Sequence, residues 1–278
     1  MSPSPIQTGL LLVGHGTRSR QGEREFLEVA EQVARRLTGV CVEPACLELT
    51  EPTIQQGVSR LVERGARQIV VMPLLLFAAG HAKRDIPAAV EAAARELNVA
   101  QLTFHYASHL GCDARIVQLS RQRFTESLQG RAEVSADRTC LLLIGRGSHD
   151  DSASAEMHHF AQLRAENSPV GGVAVAFLAM ARPAVQDVLS QLAAQDWRRI
   201  VVQPHLLFHG ELLDQLHERV AAAGTANPRQ EWILTPYLAQ GIAADHSVGE
   251  RLVGAILHRF RQAAGEAAIR VVAPGGDG

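Results

Sequence analysis

The chain has 278 residues and a formal net charge of −2, with 46% hydrophobic and 20% charged residues. That balance allows one large domain or two smaller ones with a substantial core, and it excludes a generally basic nucleic-acid binder. The four cysteines form no CxxC pair, there is no signal-peptide pattern, and no apolar run reaches the roughly 20 residues of a membrane helix, so the expectation is a cytoplasmic protein with reduced thiols.

In chain order, Leu10–Val13 is a continuous apolar run, the pattern of a strand buried on both faces of a parallel sheet. It stops at Gly14-His15-Gly16, where the two glycines free the backbone to turn and leave the imidazole uncovered. Gln21–Leu37 has helical periodicity and Val40–Leu49 reads as a second strand. Pro52 takes the favoured first position of a second helix. Gln68–Pro73 is a third strand, Leu74–Gly80 an apolar loop, Ile86–Leu97 a helix, Leu102–Tyr106 a fourth strand and Ala114–Leu128 a fourth helix. Alternating strands and helices of this length imply a parallel sheet with crossover helices.

After a polar linker, Arg131–Asp137, the pattern begins again: Cys140–Ile144 and Gly145-Arg146-Gly147 repeat Leu11–Gly16, and Arg146 stands 131 residues after His15. The same ungapped offset pairs Pro52 with Pro183, Ile69-Val70-Val71 with Ile200-Val201-Val202, Leu75-Leu76-Phe77 with Leu206-Leu207-Phe208, and Tyr106 with Tyr237. One register held that long identifies a tandem duplication of an α/β unit. The expected division is 1–136 and 137–266, with 267–278 as a disordered tail. Each unit should be a mainly four-stranded parallel sheet with helices on both faces and a cleft at the carboxyl ends of the strands.

Duplication allows the halves to be compared position by position. His15 becomes Arg146, Glu48 becomes Ala179 and His81 becomes Leu212, while the prolines and apolar strand residues around them remain. The joint loss of three chemically capable groups favours one active site, on the N-terminal half. Singly, each also fits a structural role as a hydrogen-bonded strand-end histidine, a solvated carboxylate or a helix-start residue. Following successive strands, the three project from one sheet edge, where neighbouring strands lie about 4.8 Å apart. Two imidazoles and a carboxylate suit a first-row divalent metal, and neutral imidazoles accept protons near pH 7. His205 and His209, four residues apart, are a weaker accessory candidate.

Gly-His-Gly-Thr-Arg at 14–18, Leu-Glu-Leu-Thr-Glu-Pro at 47–52 and the long run Pro-Leu-Leu-Leu-Phe-Ala-Ala-Gly-His-Ala-Lys-Arg-Asp-Ile-Pro at 73–87 together resemble the sirohydrochlorin chelatases, the CbiX cobaltochelatases and SirB-type ferrochelatases. The resemblance spans both halves, since long members of that family are tandem with a degenerate second half. It implies insertion of Co²⁺ or Fe²⁺ into sirohydrochlorin without ATP, with His15, Glu48 and His81 in catalytic and metal-binding roles. The ring, flat and apolar with eight carboxylates, asks for apolar walls and basic rims: Leu76, Phe77 and Gly80 for the former, Arg18, Arg20, Lys83, Arg84, Arg146 and Arg182 for the latter. With both halves in one chain, a monomer is expected. The rival reading is a metal chaperone or storage protein using the same three residues without a macrocycle; a G-x-G-x-x-G dinucleotide reading fails, because Ser19 stands where the third glycine is needed.

Overall fold

The computed structural model describes residues 8–77, 80–99, 102–166, 168–265 and 270–271, with backbone alone at 80–82 and 270–271. It divides into two compact units, Met1–Leu110 with Gly241–Gly278, and Gly111–Gln240. The first contains β1 (Thr8–Gly14), α1 (Arg20–Arg36), β2 (Leu37–Thr38), β3 (Val40–Cys46), α2 (Ile54–Glu63), β4 (Gln68–Pro73), α3 (Gly80–Leu97) and β5 (Thr103–Tyr106). Its sheet runs β3-β1-β4-β5, all parallel, with β1 buried along its whole length. Side chains alternate across it. Leu11, Val13, Ile69 and Val71 pack against Ile54, Val58 and Leu61 of α2 and Ile86 and Val90 of α3. Leu10, Leu12, Val70 and Met72 are equally buried on the other face, which α1 shares with a helix from the far end of the chain.

The second unit repeats the plan with α4 (Ala114–Leu128), a 3₁₀ turn at Ala136–Arg138, β6 (Thr139–Gly145), α5 (Asp151–Glu166), β7 (Gly172–Phe177), α6 (Val185–Ala193), β8 (Arg199–Pro204), α7 (Glu211–Ala226) and β9 (Glu231–Leu234). Its parallel sheet runs β7-β6-β8-β9, the order of the first. Leu142, Ile144, Ile200 and Val202 bury against α6 and α7. The chain then forms α8 (His246–Ala264), capped by Asp245, and β10 (Arg270–Val271), which pairs antiparallel with β2.

The compact units do not follow the repeat boundary expected at 136/137. α8, the last helix of the second repeat, packs on α1, β4 and β5 of the first unit, whereas α4, the last helix of the first repeat, packs on α5 of the second. Each sheet is thus closed on one face by a helix from the other repeat. The surfaces they meet differ. Beneath α4, the buried Arg164 donates to Ser120 Oγ (2.8 Å), Ser168 Oγ (2.6 Å) and Gln203 Oε1 (3.5 Å), and Gln203 donates to the Ser120 carbonyl (2.7 Å). At the matching positions the first repeat has Val33 and Met72, both fully buried.

Three local expectations need correction. Pro52 does not open α2: its peptide bond with Glu51 is cis, and Thr53 caps the helix from outside, in a capping box with Gln56. α3 starts at Gly80 rather than Ile86 and holds Pro87 in its interior, where the missing N–H is one lost bond in an 18-residue helix. The second strand ends at Cys46, because Leu47–Thr50 turns away. The expected tail at 267–278 lies outside the described residues except Arg270 and Val271.

Candidate active site

β1 and β3 are stitched together beyond their regular ends. Leu47 N–H donates to the Gly14 carbonyl at 2.9 Å and Glu48 N–H to the His15 carbonyl at 3.1 Å. These bonds bring the two side chains to one point at the carboxyl edge of the sheet, with His15 Nδ1 3.2 Å from Glu48 Oε1. Nδ1 is buried and makes no aligned hydrogen bond, so the exposed part of the imidazole lies away from it, while the carboxylate is 56% exposed. An imidazole whose Nδ1 lies against an open carboxylate, with its other edge exposed, is a chemical fit for a cation at that other edge. Burial pushes the neighbouring Cys46 thiol up from the usual range, and contact with Thr50 only partly opposes this.

Of the two glycines flanking His15, only Gly16 has a turn conformation, φ 95°, and a Cβ there would fall 1.8 Å from the Glu48 carbonyl oxygen. Gly14 is an ordinary strand residue whose missing side chain makes room for the Phe26 ring. The second repeat rebuilds the same scaffold. Leu178 and Ala179 N–H donate to the Gly145 and Arg146 carbonyls at 3.0 and 2.9 Å, Gly147 has φ 91°, and Arg182–Pro183 is cis like Glu51–Pro52. Only the chemistry is missing, because Arg146 and Ala179 stand in place of His15 and Glu48.

α3 starts just past the carboxyl end of β4, which puts the backbone of His81 in its first turn at the same sheet edge; its side chain and the surroundings of Gly80 lie outside what the structure describes. Among the described residues no third His, Cys, Asp or Glu joins His15 and Glu48. Leu76 and Phe77 are half-buried after β4, and Arg18, Arg20, Lys83, Arg84 and Arg146 are exposed. Arg182 is also exposed and pairs with Asp187 at 3.1 Å. His205 and His209 do not converge, because the segment after β8 is not helical and the i,i+4 spacing puts them on no common face. His205 is sealed in the core against the Phe160 ring, 4.0 Å between centroids, whereas His209 faces Asp214 at 3.2 Å. Sequence reasoning passed over Leu49, which is 55% exposed beside Glu48 with φ 70°. An apolar residue inside an apparent strand carries no mark of that conformation.

Comparison with known proteins places this fold in a family. The chain matches the CbiX family over residues 9–127 and again over 140–254. It is 32% identical over 229 residues to a sirohydrochlorin ferrochelatase of Priestia megaterium, covering 82% of this chain and 83% of that protein. A sirohydrochlorin cobaltochelatase of the same organism is 28% identical over 229 residues, 82% of this chain and 73% of that one. The structure of SirB from Bacillus subtilis with Fe³⁺ superposes with a TM-score of 0.79 at 29% identity, covering 94% of this chain and 97% of that one. With both repeats matched and the same architecture throughout, the chain belongs to the CbiX family.

Proposed function

We propose that this protein inserts a divalent metal ion, Co²⁺ or Fe²⁺, into sirohydrochlorin at the carboxyl edge of the first unit, without ATP. The observation that carries the reading is the His15–Glu48 pair, held by a backbone scaffold that the second repeat keeps without either side chain. The names of the relatives, ferrochelatase and cobaltochelatase, supply the substrate class and both metals.

Insertion exchanges one M²⁺ for the two pyrrole N–H protons, so the site must hold an ion weakly and accept protons, and no hydrolytic energy source enters the balance. Glu48 beside Nδ1 orients the imidazole and leaves Nε2 as the outward donor to the incoming ion. His81, at the first turn of α3, is the second imidazole. Each neutral ring, having passed its ion to the macrocycle, is a base for a departing proton. The exposed Arg18, Arg20, Lys83 and Arg84 suit the peripheral carboxylates, and Leu76 and Phe77 supply apolar surface. All the chemical groups come from one chain, so a monomer suffices.

The test mixes purified protein with sirohydrochlorin and each metal in turn and follows the absorption change. His15→Ala should lower the insertion rate about 10²–10⁴-fold, the usual range for a lost general base, with the fold intact by circular dichroism. Glu48→Gln should slow insertion while metal-free ring binding is preserved. A protein that binds the metal but never transfers it would instead be a carrier.

A further inference from the structure

Three large apolar side chains stand exposed among the described residues: Leu49, Tyr106 and Met180. Two of them are one position, because Met180 lies 131 residues after Leu49. Both have a backbone conformation that side chains of their kind avoid, φ 70° at Leu49 and 59° at Met180. The remaining positive φ at a described non-glycine residue belongs to Asn98, a type that tolerates it. Thr50 N–H donates across Leu49 to the Glu48 carbonyl at 2.8 Å, and Ala181 N–H across Met180 to the Ala179 carbonyl at 2.6 Å. These are positive-φ γ-turns, rare because the backbone crowds the central side chain.

Apolar residues scattered singly over a surface are ordinary. A strained one, repeated at the same position of both repeats, is different. Glycine would relieve the turn, and a polar residue would suit its exposure, yet each repeat has a long, flexible aliphatic or thioether side chain. The backbone of the turn is imposed from below, where Gly16 and Gly147 close on the carbonyls of Glu48 and Ala179. Nothing in that packing imposes the side chain. Strain of this kind gathers at ligand sites, and Leu49 is bonded directly to Glu48, so its Cα lies about 3.8 Å from that of the carboxylate residue of the His15–Glu48 pair.

The geometry points to Leu49 as a ring-contact residue: its side chain packs on the apolar face of the tetrapyrrole and positions the macrocycle relative to the His15–Glu48 pair. The inference rests on the function proposed for the first unit and names a substrate contact within it. An aliphatic tip contributes through apolar area removed from water. Because the turn already fixes the backbone, binding orders only the side chain.

The test titrates metal-free sirohydrochlorin into the unaltered protein, Leu49→Ala and Leu49→Met. Leu49→Ala should weaken ring binding about tenfold and raise KM rather than lower kcat, while Leu49→Met, which installs the second repeat's side chain, stays within about threefold of the unaltered protein. Co²⁺ binding without the ring should be the same in all three. If Leu49→Ala binds the ring normally, the inference falls and the proposed function stands. A parallel loss of Co²⁺ and ring affinity also overturns it, since the turn would then merely support Glu48. If the unaltered protein fails to bind sirohydrochlorin, both fall together.

Discussion

At the scale of single residues, the site is a backbone device fitted with two side chains, and Gly16 is where backbone and chemistry meet. A Cβ at Gly16 or at Gly147 would lie 1.8 Å from a carbonyl oxygen, of Glu48 in one repeat and Ala179 in the other. Gly16→Ala and Gly147→Ala should therefore both destabilise the protein, by about 2 kcal/mol or more, through strain and forced displacement of the loop. Denaturant titration reads that cost. Only Gly16→Ala should also depress metal insertion when assayed under conditions where both variants are fully folded, because only that loop holds a carboxylate. Equal insertion rates in the two variants would detach Glu48 from the reaction. The sequence made His15 and Glu48 legible because duplication supplied an internal control, in which the same turn survives without them. The glycines were legible as turn formers only in part, since Gly14 serves the packing of Phe26. Leu49 was not legible, because no local pattern announces a leucine with positive φ.

At the scale of elements, the central strands were plain from their continuous apolar runs, which only a sheet covered on both faces demands. The exchange of α4 and α8 was not. Both helices have an apolar stripe that fits either sheet, and the deciding residues are polar ones buried in the second unit. In an unexchanged arrangement Arg251, the counterpart of Ser120 in α8, would face Arg164, and two guanidiniums would share one buried site. The exchange instead gives Arg164 the Ser120 hydroxyl and gives the apolar face of the first unit an apolar helix. The same buried region holds His205, whose pKa is pushed down to about 3 by burial first and by the Arg164 charge second. A depressed imidazole pKa means that below about pH 6.5 the unfolded chain takes up a proton the native one refuses. Stability from this group is therefore complete above pH 6.5 and falls by about 1.4 kcal/mol per pH unit toward pH 3. Urea unfolding of the second unit should lose about 2 kcal/mol between pH 7 and pH 5 from this source. His205→Leu, the residue at the matching position of the first repeat (Leu74), should flatten that slope. An unchanged slope would assign the acid sensitivity to other groups.

At the scale of the whole molecule, the unit that carries the chemistry is assembled from both ends of the chain. His15, Glu48 and His81 all lie within the first repeat, yet the face of their sheet opposite α2 and α3 is completed by α8, which buries Val248, Leu252, Val253, Ile256 and Phe260. Each of those side chains contributes about 1.5–3 kcal/mol by leaving water, so together they approach the 5–15 kcal/mol of a whole domain. A chain ending at Gln240 retains every proposed catalytic residue and the complete second unit, Gly111–Gln240. It should nevertheless insert no metal, because the sheet face over Leu10, Leu12, Val70 and Met72, left with α1 alone, gives the first unit too little buried surface to hold its strands together. Circular dichroism should show a partial rather than a total loss of helix and strand signal, as the second unit stays folded. Adding residues 241–265 back as a separate peptide should restore both the signal and the insertion of metal. Full activity in the truncated chain without the peptide would mean that the first repeat folds on its own, and that the helix exchange has no part in forming the site.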